Sequence, residues 1–101
     1  MFIRFVEIYE GNSGFDGQKQ GTQFFTREIY INKSQVVSFK EDLSMIDRFI
    51  QNKIRSHFDN ENQKFTLITL NKGNMGQDIS VVGSVEYVYK LLEHFNVNKT
   101  Q

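Results

Sequence analysis

The side chains that could carry out chemistry in this sequence are few and scattered. Histidine occurs at His57 and His94 alone, and neither has a second histidine at the helical spacing of a metal pair. Cysteine is absent, which excludes thiol nucleophiles and thiolate metal sites, and no serine stands in a G-x-S-x-G elbow. Because acid–base and nucleophilic catalysis need such groups held beside a partner, we predict a protein that is not an enzyme and carries no metal or cofactor.

Two polar segments share only part of the pattern of known ligand-binding loops. Glycines recur from Gly11 to Gly21, but a phosphate-cradling loop is followed at once by a helix, and here the pattern indicates a strand. We therefore predict a flexible hairpin loop over 11–21. Residues 59–62 offer several oxygen ligands but lack the central glycine and distal glutamate of a calcium loop, so we interpret them as a solvated turn.

A basic stretch without acidic residues is the segment with most functional interest. It contains Arg48, Lys53, Arg55 and His57. Phosphate groups are bound by such side chains. Asp47 and Asp59 flank the stretch, however, and long basic side chains commonly cover apolar surface, so we favour an ordinary solvated helix face over a binding face.

Aromatic residues are more numerous than a small core needs, at 14% of the chain. Phe24 and Phe25 are adjacent, and neighbouring residues of a strand point to opposite faces of the sheet. One of the two rings is therefore exposed if the sheet is covered on one side only. An exposed aromatic face suits either homodimerisation or base stacking. We favour dimerisation because the chain has no net charge.

These residues must be positioned by alternating and helical apolar patterns. Alternation predicts strands over 2–9, 24–31, 35–40, 64–71 and 78–82. Spacings of three and four predict a helix over Leu43–Phe58, with Ser44 and Asp47 forming a capping box, and a final helix that Ser84 caps. The order β-β-β-α-β-β-α, with short connections, predicts an α+β domain with an antiparallel sheet of about five strands, a meander of the first three, and both helices on one face.

Length and composition support a single domain over 1–101, with a frayed tail at 97–101. The N-terminal segment is too charged and its apolar stretch too short for a signal peptide, and nothing later approaches a membrane span. We therefore predict a cytoplasmic protein that does not contact membranes. The lack of alanine and proline beside abundant Phe, Ile, Asn and Lys indicates an AT-rich genome, such as that of a low-GC bacterium, its phage or a mobile element.

Several short motifs follow one another along the chain, namely Ile29–Asn32, Val36–Val37, Thr66–Gly73, Val81–Val82 and Ser84–Val88. Their order resembles that of the small bacterial FlbD-like proteins. The resemblance covers most of the chain but leaves 12–21 and 43–58 as extra segments. It implies a sheet-plus-helix fold and an association with flagellar motility, and it carries over no functional residues.

We therefore predict a non-enzymatic interaction or regulatory module that binds a protein partner through an aromatic sheet face or a sheet edge, as a homodimer. The candidate surface consists of Phe24, Phe25, Arg27, Arg48, Lys53 and Arg55. The alternative is a single-stranded nucleic-acid-binding protein, in which sheet aromatics stack on bases while the same four basic residues contact phosphates.

Overall fold

The computed structural model describes residues 1–12, 22–51, 53–54, 58, 62–72 and 75–94. In chain order the elements are β1 (Phe2–Asn12), β2 (Thr22–Asn32), a 3-10 turn (Lys33–Gln35), β3 (Val36–Glu41), α1 (Leu43–Ile50), β4 (Phe65–Lys72), β5 (Met75–Val82) and α2 (Val85–His94). The five strands form one antiparallel sheet, which confirms the predicted α+β class and element order. The predicted frayed tail and most of the predicted 11–21 loop lie outside the described residues, while β1 includes Gly11 and Asn12.

The strands are arranged β2-β1-β5-β4-β3, so the predicted meander is wrong. β3 pairs with β4 and not with β2, although only the turn Lys33–Gln35 joins β2 to β3. Four residue steps span at most about 14 Å, whereas four strand spacings of a flat sheet cover about 19 Å. The sheet must therefore curl, and Ile31 and Val36, from its two edges, pack in one cluster on the concave face.

Two apolar clusters occupy the two faces of this curled sheet. The inner cluster, on the concave face, consists of Ile3, Phe5, Ile31, Ile68, Leu70, Ile79, Val81, Val88 and Leu92, the last two from α2. The outer cluster consists of Ile8, Phe24, Met45, Phe49, Ile54 and Phe65, with Met45 and Phe49 from α1. Because residues of a strand alternate between faces, the helices lie on opposite faces, and the predicted placement on one face is wrong.

The helix α1 begins and ends differently from its prediction. Asp42, and not a capping box from Ser44, caps it by accepting a hydrogen bond from the Met45 N–H at 3.1 Å. It ends at Ile50, yet Ile54 and Phe58 still pack in the outer cluster. Apolar residues at spacings of three and four indicate which side chains are buried, but not how far the helix extends. Ile54, which is buried, and Phe58, which is partly buried, belong to the chain that follows the helix.

The passage from β5 to α2 depends on one backbone conformation. Gly83 has a φ of 126°, a region that residues with a Cβ rarely adopt, and its carbonyl accepts a hydrogen bond from Thr66 Oγ1 at 2.9 Å. Ser84 then caps α2, as predicted, because its Oγ accepts from the Tyr87 N–H at 3.1 Å. This turn directs α2 onto the concave face.

Candidate interaction surface

The structure divides the predicted surface residues between the two faces of the sheet. Phe24 is buried beneath α1, whereas Phe25, on the other face, is 39% exposed. Arg27 shares the face of Phe25, and Arg48 lies with Phe24. Lys53 is exposed just beyond α1, and Arg55 lies outside the described residues. The opposite orientation of the two phenylalanines therefore follows the predicted alternation, but the six residues do not form one surface.

On the concave side of the β1–β2 hairpin, four side chains form a ladder, which we call the Arg27 ladder: Glu7, Arg27, Tyr9 and Phe25. Arg27 Nε donates to Glu7 Oε1 at 2.9 Å, and the Arg27 guanidinium lies 4.2 Å from the centre of the Tyr9 ring. The Tyr9 and Phe25 rings follow with centroids 5.8 Å apart. The hydrogen bond and charge of Glu7 raise the pKa of Arg27 above its ordinary value, so Arg27 is cationic at any ordinary pH.

Gly11, on β1, lies against the Phe25 ring of the ladder. A Cβ at this position would lie 2.5 Å from Cε2 of Phe25, so only glycine lets the ring lie against the backbone of β1. The Phe25 ring is thus supported on one side by Tyr9 and beneath by Gly11. The partly exposed Phe25 ring is therefore held in a fixed position by its neighbours.

On the outer face, Arg48 has partners at the end of the same hairpin. Its guanidinium lies 5.5 Å from the centre of the Phe24 ring, and its Nη1 is 3.6 Å from Glu10 Oε1. Of the predicted basic residues that the structure describes, only Lys53 forms no ion pair with a described residue. The basic groups of the two faces are therefore largely paired with carboxylates.

A second group of exposed aromatic residues surrounds Arg4, and sequence reasoning missed it. This aromatic patch consists of Phe2, Arg4, Tyr30 and Tyr87. Phe2 is 62% exposed, Tyr30 60% and Tyr87 50%. Tyr30 lies directly across from Arg4, and Arg4 Nη2 donates to Glu28 Oε2 at 2.9 Å. The bond and charge of Glu28 raise the pKa of Arg4. The available signal was the presence of apolar residues on both faces of β1, including Phe2 on the face of Arg4.

A shallow cavity of about 210 Å³ adjoins the aromatic patch where β5 ends. Its lining consists of Arg4, Phe5, Val6, Val82, Gly83 and Tyr87. β1 pairs with β5 only at Glu7 and Ile8, so Arg4 and Val6 lie beyond the paired part of β1. Tyr87 packs against Gly83 at the rim, where a Cβ would lie 2.6 Å from Tyr87 Cδ2. The cavity is large enough for one apolar side chain.

β2 forms one edge of the sheet, and its outer backbone groups can be assigned. The Lys33 N–H donates to the Met1 carbonyl at 2.9 Å, next to the pair Phe2 and Asn32. Because antiparallel ladders alternate, the odd residues of β2 bond to β1 and the even residues direct their N–H and C=O outward. The outward residues include Phe24, Thr26, Glu28 and Tyr30.

The two edges of the sheet differ in how they are protected. β2 pairs with β1 along all of Thr22–Asn32 without a register shift. The opposite edge, β3, is short and has a register shift between Val36 and Ser38. Long regular edges without a bulge are the ones that accept another strand. β2 is therefore the available edge.

Comparisons with known proteins found nothing similar to this chain, whether among family models, curated proteins or solved structures. The resemblance to FlbD-like proteins stays a prediction. Among the residues that the structure describes, no helix is long and apolar enough to cross a membrane. In the same part of the chain, no three acidic or histidine side chains are grouped so that they could hold a metal ion.

Proposed function

We propose that this protein is a non-enzymatic interaction or regulatory module that binds a protein partner along the outer edge of β2 and the adjoining aromatic patch. The observation that carries the proposal is that Tyr30 belongs to both features, and that Glu28, on the same edge, forms an ion pair with Arg4 of the patch. Their backbones lie on the outer edge of β2, and their side chains lie beside Arg4 on the outer face. A partner strand on β2 would therefore contact the patch at the same time.

This arrangement matches the chemistry of strand addition. In that mode, main-chain hydrogen bonds supply affinity, and side chains that alternate along the edge supply specificity. The outward N–H and C=O groups of Thr26 and Glu28 would supply the first. The exposed rings of Phe2 and Tyr30 would supply the second, because a partner strand that covers them removes apolar surface from water.

Substitutions at Thr26 test the edge with a matched pair of variants. Thr26 is exposed and its N–H points away from β1, so Thr26→Pro removes the outward donor without removing a bond to β1. Thr26→Val keeps that donor and the β-branched shape. We expect affinity capture from the source cell, followed by mass spectrometry, to lose its partners with Thr26→Pro and retain them with Thr26→Val. Equal capture by both variants would contradict the use of the edge.

A third variant tests the aromatic patch separately. Tyr30→Ser removes an exposed ring but leaves the backbone of β2 able to pair. We expect partner binding to weaken by about tenfold, which corresponds to roughly 1.4 kcal/mol, a typical value for one interface side chain. Unchanged binding would remove the patch from the proposal and leave the edge alone.

The alternative function, binding of single-stranded nucleic acid, has one observation in its favour. Phe25 and Tyr9 present rings beside Arg27, as in proteins that stack bases on a sheet. Fluorescence anisotropy of a labelled oligonucleotide at low salt tests it, since phosphate binding weakens steeply as salt rises. No binding at low salt would exclude this function, and binding that Lys53→Gln weakens would support it.

A further inference from the structure

We infer that the partner of β2 is a second copy of this chain, paired antiparallel with Thr26 on the two-fold axis. The inference rests on the proposed use of the β2 edge and adds the identity of the occupant and the register. It would join two five-stranded sheets into one continuous sheet.

Symmetry limits the registers to a small set. In a two-fold antiparallel pair, residues pair in reverse order about the axis, which passes either through one residue or between two. The outward groups of β2 belong to even residues, so even residues must face even residues. Any residue of β2 can lie on the axis under this rule, and the side chains decide among them.

Charge excludes the two registers with an ionic residue at the centre. With Arg27 on the axis, two guanidinium groups would lie directly opposite each other, and with Glu28 on the axis two carboxylates would do so. Like charges in directly opposed positions destabilise a pair of strands. Both registers are therefore disfavoured, although they would use most of the strand.

The elements that follow β2, and the number of residues that can pair, disfavour registers centred nearer either end of β2. An axis at Ile29 or beyond would place the second copy where β2 passes into Lys33–Gln35 and β3 begins. An axis at Phe25 would restrict the pairing to residues 22–28. An axis at Thr26 uses residues 22–30 of both copies and stays away from the curled end.

In the Thr26 register, the side chains of the two copies are complementary. Two threonines face each other on the axis, a favourable cross-strand pair. Phe25 of each copy lies opposite Arg27 of the other, and these side chains are 39% and 58% exposed in the single chain. A guanidinium against an aromatic ring is an attractive contact. The Arg27 ladder would thus continue from one copy into the next.

This complementarity favours a second copy over an unrelated strand. In a two-fold interface the same surface of each copy must be complementary to itself. A surface that presents an aromatic ring on one side of the axis is complementary if it presents a cation at the equivalent position on the other side. β2 meets this condition because Phe25 and Arg27 lie one residue on either side of Thr26. They also share one face of the sheet.

Single-cysteine variants test the register, because the chain contains no cysteine of its own. Thr26→Cys would place two Cα atoms about 5.5 Å apart, within the range of a disulfide. Glu28→Cys is the matched control, since residue 28 would face residue 24 and its Cα would lie about 14 Å from that of its own copy. We expect mild oxidation to cross-link Thr26→Cys into a dimer on a non-reducing gel and to leave Glu28→Cys monomeric. Circular dichroism checks that both variants are folded.

The outcomes separate this inference from the proposed function. Stronger cross-linking of Glu28→Cys than of Thr26→Cys, or cross-linking of neither, would overturn the register. Light scattering of the unmodified chain that gives 11.9 kDa at all concentrations would overturn the dimer. If Thr26→Pro still abolished capture of other proteins in that case, the edge function would stand with a different occupant. If the chain is monomeric and Thr26→Pro also leaves the capture of other proteins unchanged, both the dimer and the proposed function of the edge are overturned.

Discussion

Glu7 and Arg27 form a directly opposed pair in which the carboxylate is buried and the guanidinium is exposed. The side chain of Glu7 is 9% exposed and that of Arg27 58% exposed, and Nε lies 2.9 Å from Oε1. The other two ion pairs of the described residues expose both partners. A buried charge depends on its partner far more than an exposed one does. Arg27 therefore supports the fold of the hairpin besides contributing to its surface.

We expect Arg27→Ala to destabilise the protein more than the double variant Glu7→Gln with Arg27→Ala. The single change leaves a buried carboxylate without its partner, whereas the double change leaves a neutral amide that costs less to bury. Urea midpoints at pH 7 provide the measurement. Equal midpoints for the two variants would show that water already solvates Glu7.

We expect Phe49→Ala to cost about 3–5 kcal/mol of unfolding free energy. Phe49 is 1% exposed and packs edge-on against Phe65 and Phe58, at centroid distances of 6.0 and 6.3 Å. The control is Ile50→Ala in the same helix, because Ile50 is exposed and should cost less than about 0.5 kcal/mol. Chemical denaturation compares them. Similar losses would contradict the burial of Phe49 under α1.

We expect Gly83→Ala to destabilise the protein by about 1–3 kcal/mol, because the positive φ and the Tyr87 ring both oppose a Cβ. Gly76→Ala is the control, since its Cβ would meet only the Leu70 carbonyl oxygen at an ordinary 3.6 Å. Thermal unfolding followed by circular dichroism compares the two. An unchanged midpoint for Gly83→Ala would indicate that the turn into α2 rearranges easily.

We expect Asp42→Ala to cost about 0.5–2 kcal/mol as the loss of a helix cap. Asp42 is buried, and its second carboxylate oxygen accepts a hydrogen bond from Ser80 Oγ at 2.5 Å, so the loss should fall near the upper limit. Asp42→Asn keeps an oxygen that caps helices equally well and should retain most of the stability. A neutral effect of Asp42→Ala in urea unfolding would contradict the cap.

The element order was predictable because strands and helices leave local signals. Alternation placed Phe24 and Phe25 on opposite faces, and Ser84 marked the start of α2. The pairing of β3 with β4 instead of β2 was not predictable, because it depends on contacts between distant parts of the chain. The placement of the helices on two faces had a signal in β4, where Phe65 and Ile68 have opposite parity and are both fully buried.

The candidate surface was harder to predict than the fold. Composition indicated that some rings would be exposed, but the choice between Phe24 and Tyr30 depends on where α1 lies. The basic residues carried a clear local pattern. The pairing of Arg27 with Glu7 and of Arg48 with Glu10 joins residues that are far apart in the chain, so it leaves no trace in the local sequence.

The register shift between Val36 and Ser38 would limit the size of the assembly that we propose for this chain. A sheet in which both edges can accept another strand can polymerise, because each added molecule presents a free edge to the next. Here the irregular edge of β3 is a poor template. In the proposed dimer, in which the two β2 strands pair with each other, only the β3 edges would stay free, so the assembly would stop at two copies and would not extend into fibrils.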